Sequence, residues 1–280
     1  MIDFFNALIN PNVSFIRYAL FAGALSSIAF GIIGTFVVVK RMTYIAGAIS
    51  HTSLGGIGLS LWLNTSVGFA FFSPIIGALI ISIISGLIIS YTVIKGDERL
   101  DTIIGIIWAV GMSIGLIFIY LTPGYIDPMS YLFGNILLIS LTDLLIIIIL
   151  NIVIIFTSVL FHNQFLAIFF DEEFAQIRGI KTYLYQIILI LLVSLTIILL
   201  ITIVGIVMVI ALLTIPAAIA GIFSKKMKIM MFLAVIICMM VTITGLAVSY
   251  KLDLPTGSVT ILISGILYML VKSGKYFIKQ

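Results

Sequence analysis

The chain has 280 residues, of which 63% are hydrophobic and only 9% charged, and its mean hydropathy is +1.39. Soluble domains carry about 25% charged residues, so this composition excludes a soluble enzyme, and the net charge of +4 gives no reason to expect a nucleic-acid partner. The single cysteine, Cys238, lies in an apolar run, which excludes a disulfide framework.

The apolar runs predict an all-α, polytopic membrane protein, because a spanning helix needs about 20 apolar residues. Nine spans are predicted, or eight if Pro216 prevents its run from crossing fully. A short apolar piece, Leu132 to Ser140, precedes the fifth span, and two spans with a turn near Gly205 share the run Tyr183 to Ser224. The other predicted spans are Val13 to Val39, Ile45 to Leu63, Val67 to Ile94, Thr102 to Leu121, Asp143 to Phe161, Ile229 to Tyr250 and Val259 to Val271.

Basic residues set the orientation of these spans, because cytoplasmic loops are enriched in lysine and arginine. With Lys40 and Arg41 inside and nine alternating spans, 12 of the 14 basic residues are cytoplasmic, and only Arg17 and Lys251 are outside. The N-terminus is therefore predicted outside and the C-terminus inside, in a bacterial cytoplasmic membrane.

A polar stretch, Phe170 to Lys181, separates long uncharged runs and is predicted to form a short cytoplasmic helix. Apolar residues recur at helical spacing, acids crowd its start and basic residues its end, as the helix dipole favours. Gly179 is a suitable C-terminal stop. The stretch is either an ordinary topology-setting loop or a helix whose apolar stripe packs on a partner. The stripe is Phe170, Phe174, Ile177 and Ile180.

His51 is, tyrosines apart, the one ionisable residue between Met42 and Ile94. Ten residues from Arg41 at 1.5 Å each place it about 15 Å deep, near the middle of a hydrocarbon core of about 30 Å. Ionisable groups at that depth are functional candidates, and imidazole is a common transition-metal ligand. The alternative is a neutral histidine bonded to a facing helix, and a single histidine is far short of a closed metal site.

Several catalytic motifs are absent from the sequence. It contains no phosphate-binding glycine loop with its lysine, no HExxH and no nucleophile elbow. It also lacks the series of intramembrane carboxylates that would indicate a proton- or sodium-driven carrier. The chain is therefore expected to be a non-enzymatic subunit that cannot hydrolyse ATP itself.

Three stretches resemble one family, the ABC-3 membrane permeases of ABC importers for zinc, manganese and iron. The first runs from Gly34 through Lys40-Arg41-Met42 and His51 to Gly56, and the second is Tyr131-Leu132-Phe133-Gly134-Asn135-Ile136-Leu137. The third combines Phe170 to Gly179 with Gly205 and the run Leu212-Leu213-Thr214-Ile215-Pro216-Ala217-Ala218. Together they resemble the family's order and spacing over nearly the whole chain.

The resemblance implies one permease domain over residues 1–280 with the fold of a type II importer. It implies a cytoplasmic ATP-binding subunit, an extracytoplasmic metal-binding protein and a second permease subunit, which is a second copy of this chain or a different permease chain. Zinc or manganese, with iron as a further option, would be the cargo and not a stably bound cofactor. The coupling residues would be Asp171, Glu172, Glu173, Phe174, Ala175, Ile177, Arg178 and Gly179, and the structural motif residues Gly34, Gly134, Gly205 and Pro216.

The metal path would contain His51, with Thr43, Ser50 and Thr52 as neighbouring oxygen donors. This chain departs from the family at Gly47, where many members carry an aspartate four residues before the histidine. The departure leaves the choice of metal open and keeps permeation of a metal chelate as an alternative. A stand-alone secondary carrier is a further alternative, disfavoured by the missing carboxylates.

Overall fold

The computed structural model describes residues 14–68, 73–96, 100–124, 131–132, 134 and 139–278. Within those ranges the regular structure is helical throughout and no strand occurs. The predicted all-α class is confirmed. The helices are α1 (Ser14–Val39), α2 (Thr43–Trp62) with a π-helical turn (Leu63–Val67), α3 (Pro74–Lys95), α4 (Leu100–Leu121), α5 (Leu141–Leu160), α6 (His162–Phe170), α7 (Glu172–Ile177), α8 (Thr182–Val204), α9 (Ile206–Phe223), α10 (Met227–Leu252) and α11 (Thr256–Ile278).

Seven of the described helices are long and apolar enough to cross a membrane: α1, α3, α4, α5, α9, α10 and α11. The predicted count of nine is therefore not confirmed. Helix α2 falls outside this set because glycine, serine, threonine and His51 make up half of its 20 residues. The other predicted span outside the set is α8, of which only the apolar segment Thr182–Ile198 is described without gaps, so this helix is not tested as a span.

The ends of the predicted spans are mostly close to those observed, with one clear error. The third span was predicted to start at Val67, whereas α3 starts at Pro74. Gly68 adopts a left-handed conformation with φ 78°, and Ser73 caps α3 by accepting a 3.4 Å hydrogen bond from the Ile76 amide. A serine before a proline at the first helical position is a typical helix start. The predicted short piece from Leu132 to Ser140 lies largely outside the described residues.

The chain divides into two compact units, which we describe separately. Helices α5 and α8 contribute residues to both. The first unit comprises the described parts of residues 1–38, 132–155 and 200–280, and the second those of residues 39–131 and 156–199.

In the first unit, α9 packs against both α10 and α11. Small residues of α9, Ala217 and Ala220, meet Met230 and Ala234 of α10 in a fully apolar cluster. Helix α5 is tied to α1 by Asn151, whose side-chain amide donates a 2.8 Å hydrogen bond to the Leu25 carbonyl. Close helix contact through small side chains is the usual way in which membrane helices associate.

The four predicted structural motif residues all lie in this first unit. A Cβ at Gly34 would collide with the Leu213 carbonyl of α9, and one at Gly134 with the backbone at Val204 and Gly205. Gly205 has φ 85° and separates α8 from α9, as predicted. Pro216 is buried inside the 18-residue helix α9, which continues past it to Phe223, so the proline does not end this helix.

In the second unit, α2 is the central element and packs against α3 on one side and α4 on the other. Glycines make both contacts close. A Cβ at Gly56 would collide with the Gly77 carbonyl of α3, while Gly55 and Gly58 approach the carbonyls of Gly111 and Gly115 on α4. The small and polar residues of α2 lower its hydropathy, and the same small residues let α3 and α4 approach its backbone closely.

Candidate functional site

His51 lies in the third turn of α2, partly buried, on the face that meets α4. Its imidazole stacks on the indole of Trp108, with ring centroids 4.5 Å apart and planes at 17°. Its Nδ1 is buried and has no hydrogen-bond partner among the described residues. A buried ring nitrogen without a hydrogen bond is energetically unfavourable.

The predicted oxygen donors are not gathered around the imidazole. The Ser50 hydroxyl donates to the Ala46 carbonyl at 2.8 Å. The Thr52 hydroxyl lies 2.7 Å from the Ala48 carbonyl and 2.9 Å from the Ile107 carbonyl of α4. Thr43 starts α2 and lies about 12 Å along the helix axis from His51. The structure thus places one nitrogen donor here, and no cluster of three or more His, Cys, Asp or Glu occurs within the described ranges.

The polar stretch forms a shorter helix than predicted. Phe170 ends α6, and the chain breaks at Asp171, which has extended dihedrals and caps α7 by accepting a 2.9 Å hydrogen bond from the Phe174 amide. Helix α7 ends after Ile177, with Gly179 at φ 81°. The Gly179 and Ile180 amides donate to the carbonyls of Gln176 and Ala175, which is a Schellman motif. The predicted stop is confirmed, and the single helix from Phe170 to Lys181 is wrong.

One face of α7 is fixed to the second unit. Glu172 accepts hydrogen bonds from Lys40 Nζ at 2.9 Å and from Gln186 Nε2 at 2.5 Å. Ala175 is 1% exposed, and Gln176 donates to the Thr182 hydroxyl at 2.9 Å. Glu172 and Ala175 therefore anchor this short helix, with Ala175 buried and Glu172 held in a partly exposed ion pair.

The opposite face of α7 is exposed and carries apolar side chains. Phe174 is 54% exposed and Ile177 84%, while Phe170 just before the cap is 86% exposed. The Arg178 guanidinium lies over the Phe174 ring at 5.4 Å, and Glu173 is exposed beside them. These residues form an unpartnered surface with an apolar centre and charges of both signs.

Several residues that contribute to these sites were not predicted. Trp108 is far from His51 in the chain, and nothing in its local sequence assigns it to that site. The glycines of the Gly111-Met112-Ser113-Ile114-Gly115 sequence are a known helix-packing signal and could have indicated that α4 packs closely. Lys40 and Gln186 both contact Glu172. Lys40 lies 132 residues before Glu172 in the chain, and no local sequence pattern predicts such a contact.

The helical architecture, with a histidine among close-packed helices and a small exposed helix, is that of a polytopic membrane protein. The model of the ABC 3 transport family matches residues 12–274. The chain therefore belongs to the ABC 3 transport family.

Two curated relatives illustrate the match. A protein of Chlamydia pneumoniae described as a probable metal transport system membrane protein is 38% identical over 244 residues, covering 87% of this chain and 83% of the relative. The manganese import system permease protein ScaB of Streptococcus gordonii is 31% identical over 257 residues, covering 91% and 89%.

Two solved structures share the fold. A chain of PsaBC from Streptococcus pneumoniae in complex with Fab has a TM-score of 0.84 and 28% identity, covering 97% of this chain and 95% of that one. An inward-facing putative metal-chelate type ABC transporter has a TM-score of 0.76 at 14% identity, covering 95% and 90%. The second likeness concerns the fold alone.

Proposed function

We propose that this chain is the permease subunit of a bacterial ABC importer that moves a divalent transition metal across the cytoplasmic membrane. Membership of the ABC 3 transport family, with relatives named for metal and manganese transport, carries the proposal. His51, with its unpaired buried nitrogen on a helix of small residues, supplies a chemically suitable group on the metal path. Zinc, manganese and iron are the candidate cargoes.

The exposed surface of α7 is the proposed docking surface for the ATP-binding subunit, and we define it as Glu173, Phe174, Ile177 and Arg178. An apolar stripe on a short helix is a typical ligand for a groove on a partner. Its anchored face, through Glu172 and Ala175, would carry a displacement of the partner into the second unit. Asp171 and Gly179 would set the two ends of the helix.

A second copy of the chain and an extracytoplasmic metal-binding protein complete the proposed importer. One chain supplies one imidazole to the path, and the described residues hold no larger ligand cluster. Two copies would bring two imidazoles to a shared path. Such weak coordination suits a path from which the ion must leave quickly.

Metal accumulation in a deletion strain tests the transport proposal. Cells that lack the gene should accumulate less of one metal when zinc, manganese and iron are measured together, and the intact gene should restore it. A parallel culture supplied with chelated metal distinguishes the free ion from a chelate. Unchanged content of all three metals under limitation, free or chelated, would overturn the proposal.

Co-purification tests the docking surface separately. Phe174→Glu with Ile177→Lys should abolish co-purification of the ATP-binding subunit, while the membrane-inserted amount of permease stays the same. Lys181→Ala is the matched control, because Lys181 is exposed nearby and outside the surface. Retention of the ATP-binding subunit by the double variant would show that docking occurs elsewhere.

A further inference from the structure

Trp108 covers the candidate metal-path histidine. Its indole is brought by the third turn of α4 and lies flat on the His51 imidazole at 4.5 Å. Stacking fixes the plane of the imidazole, and therefore the direction of the nitrogen lone pair that a cation would use. Trp108 thus restricts both the orientation of His51 and the side from which it can be approached.

Gly47 makes room for this indole. It precedes His51 by four residues and so lies on the same face of α2. A Cβ at position 47 would lie 2.9 Å from Cζ3 and 3.3 Å from Cη2 of Trp108, which is closer than carbon atoms pack. A side chain at position 47 and the indole at position 108 therefore compete for one space.

Helix α4 contacts α2 on both sides of Trp108 in the chain. The Thr52 hydroxyl lies 2.9 Å from the Ile107 carbonyl, one residue before Trp108. One turn further on, a Cβ at Gly55 would lie 2.7 Å from the Gly111 carbonyl oxygen. The backbone at Trp108 is thus placed by two contacts that do not involve its own side chain.

The donor set that results contains an imidazole without a carboxylate. The described acidic residue on α4 is Asp101 in its first turn, about 10 Å along the axis from Trp108, and α2 carries no acidic residue. Imidazole suits zinc, iron, copper and nickel, whereas manganese prefers carboxylate and carbonyl oxygens. The pair at positions 47 and 108 therefore bears on which metal the path accepts.

We propose that Trp108 is a specificity-determining residue of the metal path. Its indole, for which Gly47 leaves room, orients the His51 imidazole and excludes a second ligand at position 47. The path would therefore favour cations that bind nitrogen ligands, such as zinc, and disfavour manganese. This inference rests on the proposed function. It assigns Trp108 an orienting role through His51 and no direct contact with the ion.

Uptake of zinc and manganese by the complete importer in vesicles tests the proposal, using Gly47→Asp, Trp108→Ala and the double variant. Trp108→Ala should lower zinc uptake about tenfold, the scale of losing a group that orients a metal ligand. Gly47→Asp alone should be inactive because the indole occupies its space. The double variant should regain uptake, with the manganese-to-zinc ratio raised above that of the intact protein. Trp62→Phe is the control, because Trp62 contacts Phe118 and not His51.

The outcomes separate the two proposals. If the intact importer moves no divalent metal, the proposed function fails. If it moves metal but the manganese-to-zinc ratio is the same in all variants, or Gly47→Asp is equally harmful with and without the indole, only the role of Trp108 fails.

A spectroscopic measurement keeps the proposal testable even where the variants do not assemble. The chain has two tryptophans, so Trp62→Phe leaves Trp108 as the sole indole emitter. Zinc binding at His51 should change Trp108 fluorescence in this protein, and the added change His51→Gln should abolish the response. A response that persists without the imidazole, or no response at saturating zinc, would overturn the proposal.

Discussion

Replacing Glu172 by glutamine removes the charge that anchors α7 but keeps the size of the side chain. The carboxylate is 2.9 Å from Lys40 Nζ, with the two side chains 35% and 21% exposed. At an effective dielectric of about 20 the bare attraction at this distance is about 6 kcal/mol. Desolvation, side-chain ordering and screening cancel most of it at such exposure. A coupling of about 1–2 kcal/mol remains, since hydrogen bonds to charged groups contribute about 1.5–3 kcal/mol and exposed pairs under about 1 kcal/mol.

A double-mutant cycle of Glu172→Gln and Lys40→Met measures this coupling. Thermal unfolding midpoints of the purified chain should show a non-additive term of about 2–8 °C, taking about 2–4 °C for each kcal/mol. The charge exchange Lys40→Glu with Glu172→Lys should recover part of the loss. Strictly additive midpoints, within the scatter of about 0.3–0.5 kcal/mol expected for independent sites, would refute the argument that these charges act as a pair.

The same cycle has a transport readout, because Lys40 lies in the turn that leads into α2, the helix that carries His51. Breaking the pair should lower the amount of metal moved per ATP hydrolysed more than it lowers ATP hydrolysis. A fall of both in proportion would indicate that the pair only stabilises the chain.

Three further substitutions test local features. Gly179→Ala should cost about 1 kcal/mol, because φ is 81° there and alanine tolerates a left-handed conformation poorly; Gly179→Asn should cost less, as judged by unfolding midpoints. Asp171→Ala should also cost about 1 kcal/mol, because the helix loses its N-terminal cap. Asp171→Asn should retain most of the capping stability in the same measurement. Gly34→Val should prevent assembly of the first unit, since a Cβ there meets the Leu213 carbonyl. Gly265→Val, with open space around it, is its control, and membrane-inserted yields after expression would be compared.

The helices could be predicted where a single local signal decides them. Long apolar runs gave α1, α4 and α10 nearly to their ends, and Gly205 and Gly179 marked breaks because a left-handed backbone is most accessible to glycine. Position Asp171 was predicted to sit inside a helix as an acid near its start, whereas the stronger tendency of aspartate to cap split the stretch in two.

The sites were predictable in part, for a different reason. His51 stood out because an imidazole is rare among apolar residues, and the predicted span that contains it corresponds to α2. Its relation to Trp108 depends on how two helices pack, which no spacing within either helix encodes. In the same way, Glu172 was assigned to the partner from its place in the motif, and its ion pair with Lys40 could not be predicted from any local pattern.

The shortness of α7 has a consequence for how strongly the proposed importer would hold together. Six residues span about 9 Å, so the docking surface presents only a few side chains, far below the roughly 800 Å² per partner of a stable interface. One permease chain should therefore bind one ATP-binding subunit only weakly. Two chains held side by side in the membrane would engage a pair of such subunits together, and the second contact would form at a high effective concentration. The complex of two permease chains with two ATP-binding subunits would then be tight because of avidity. One permease chain with one ATP-binding subunit would not.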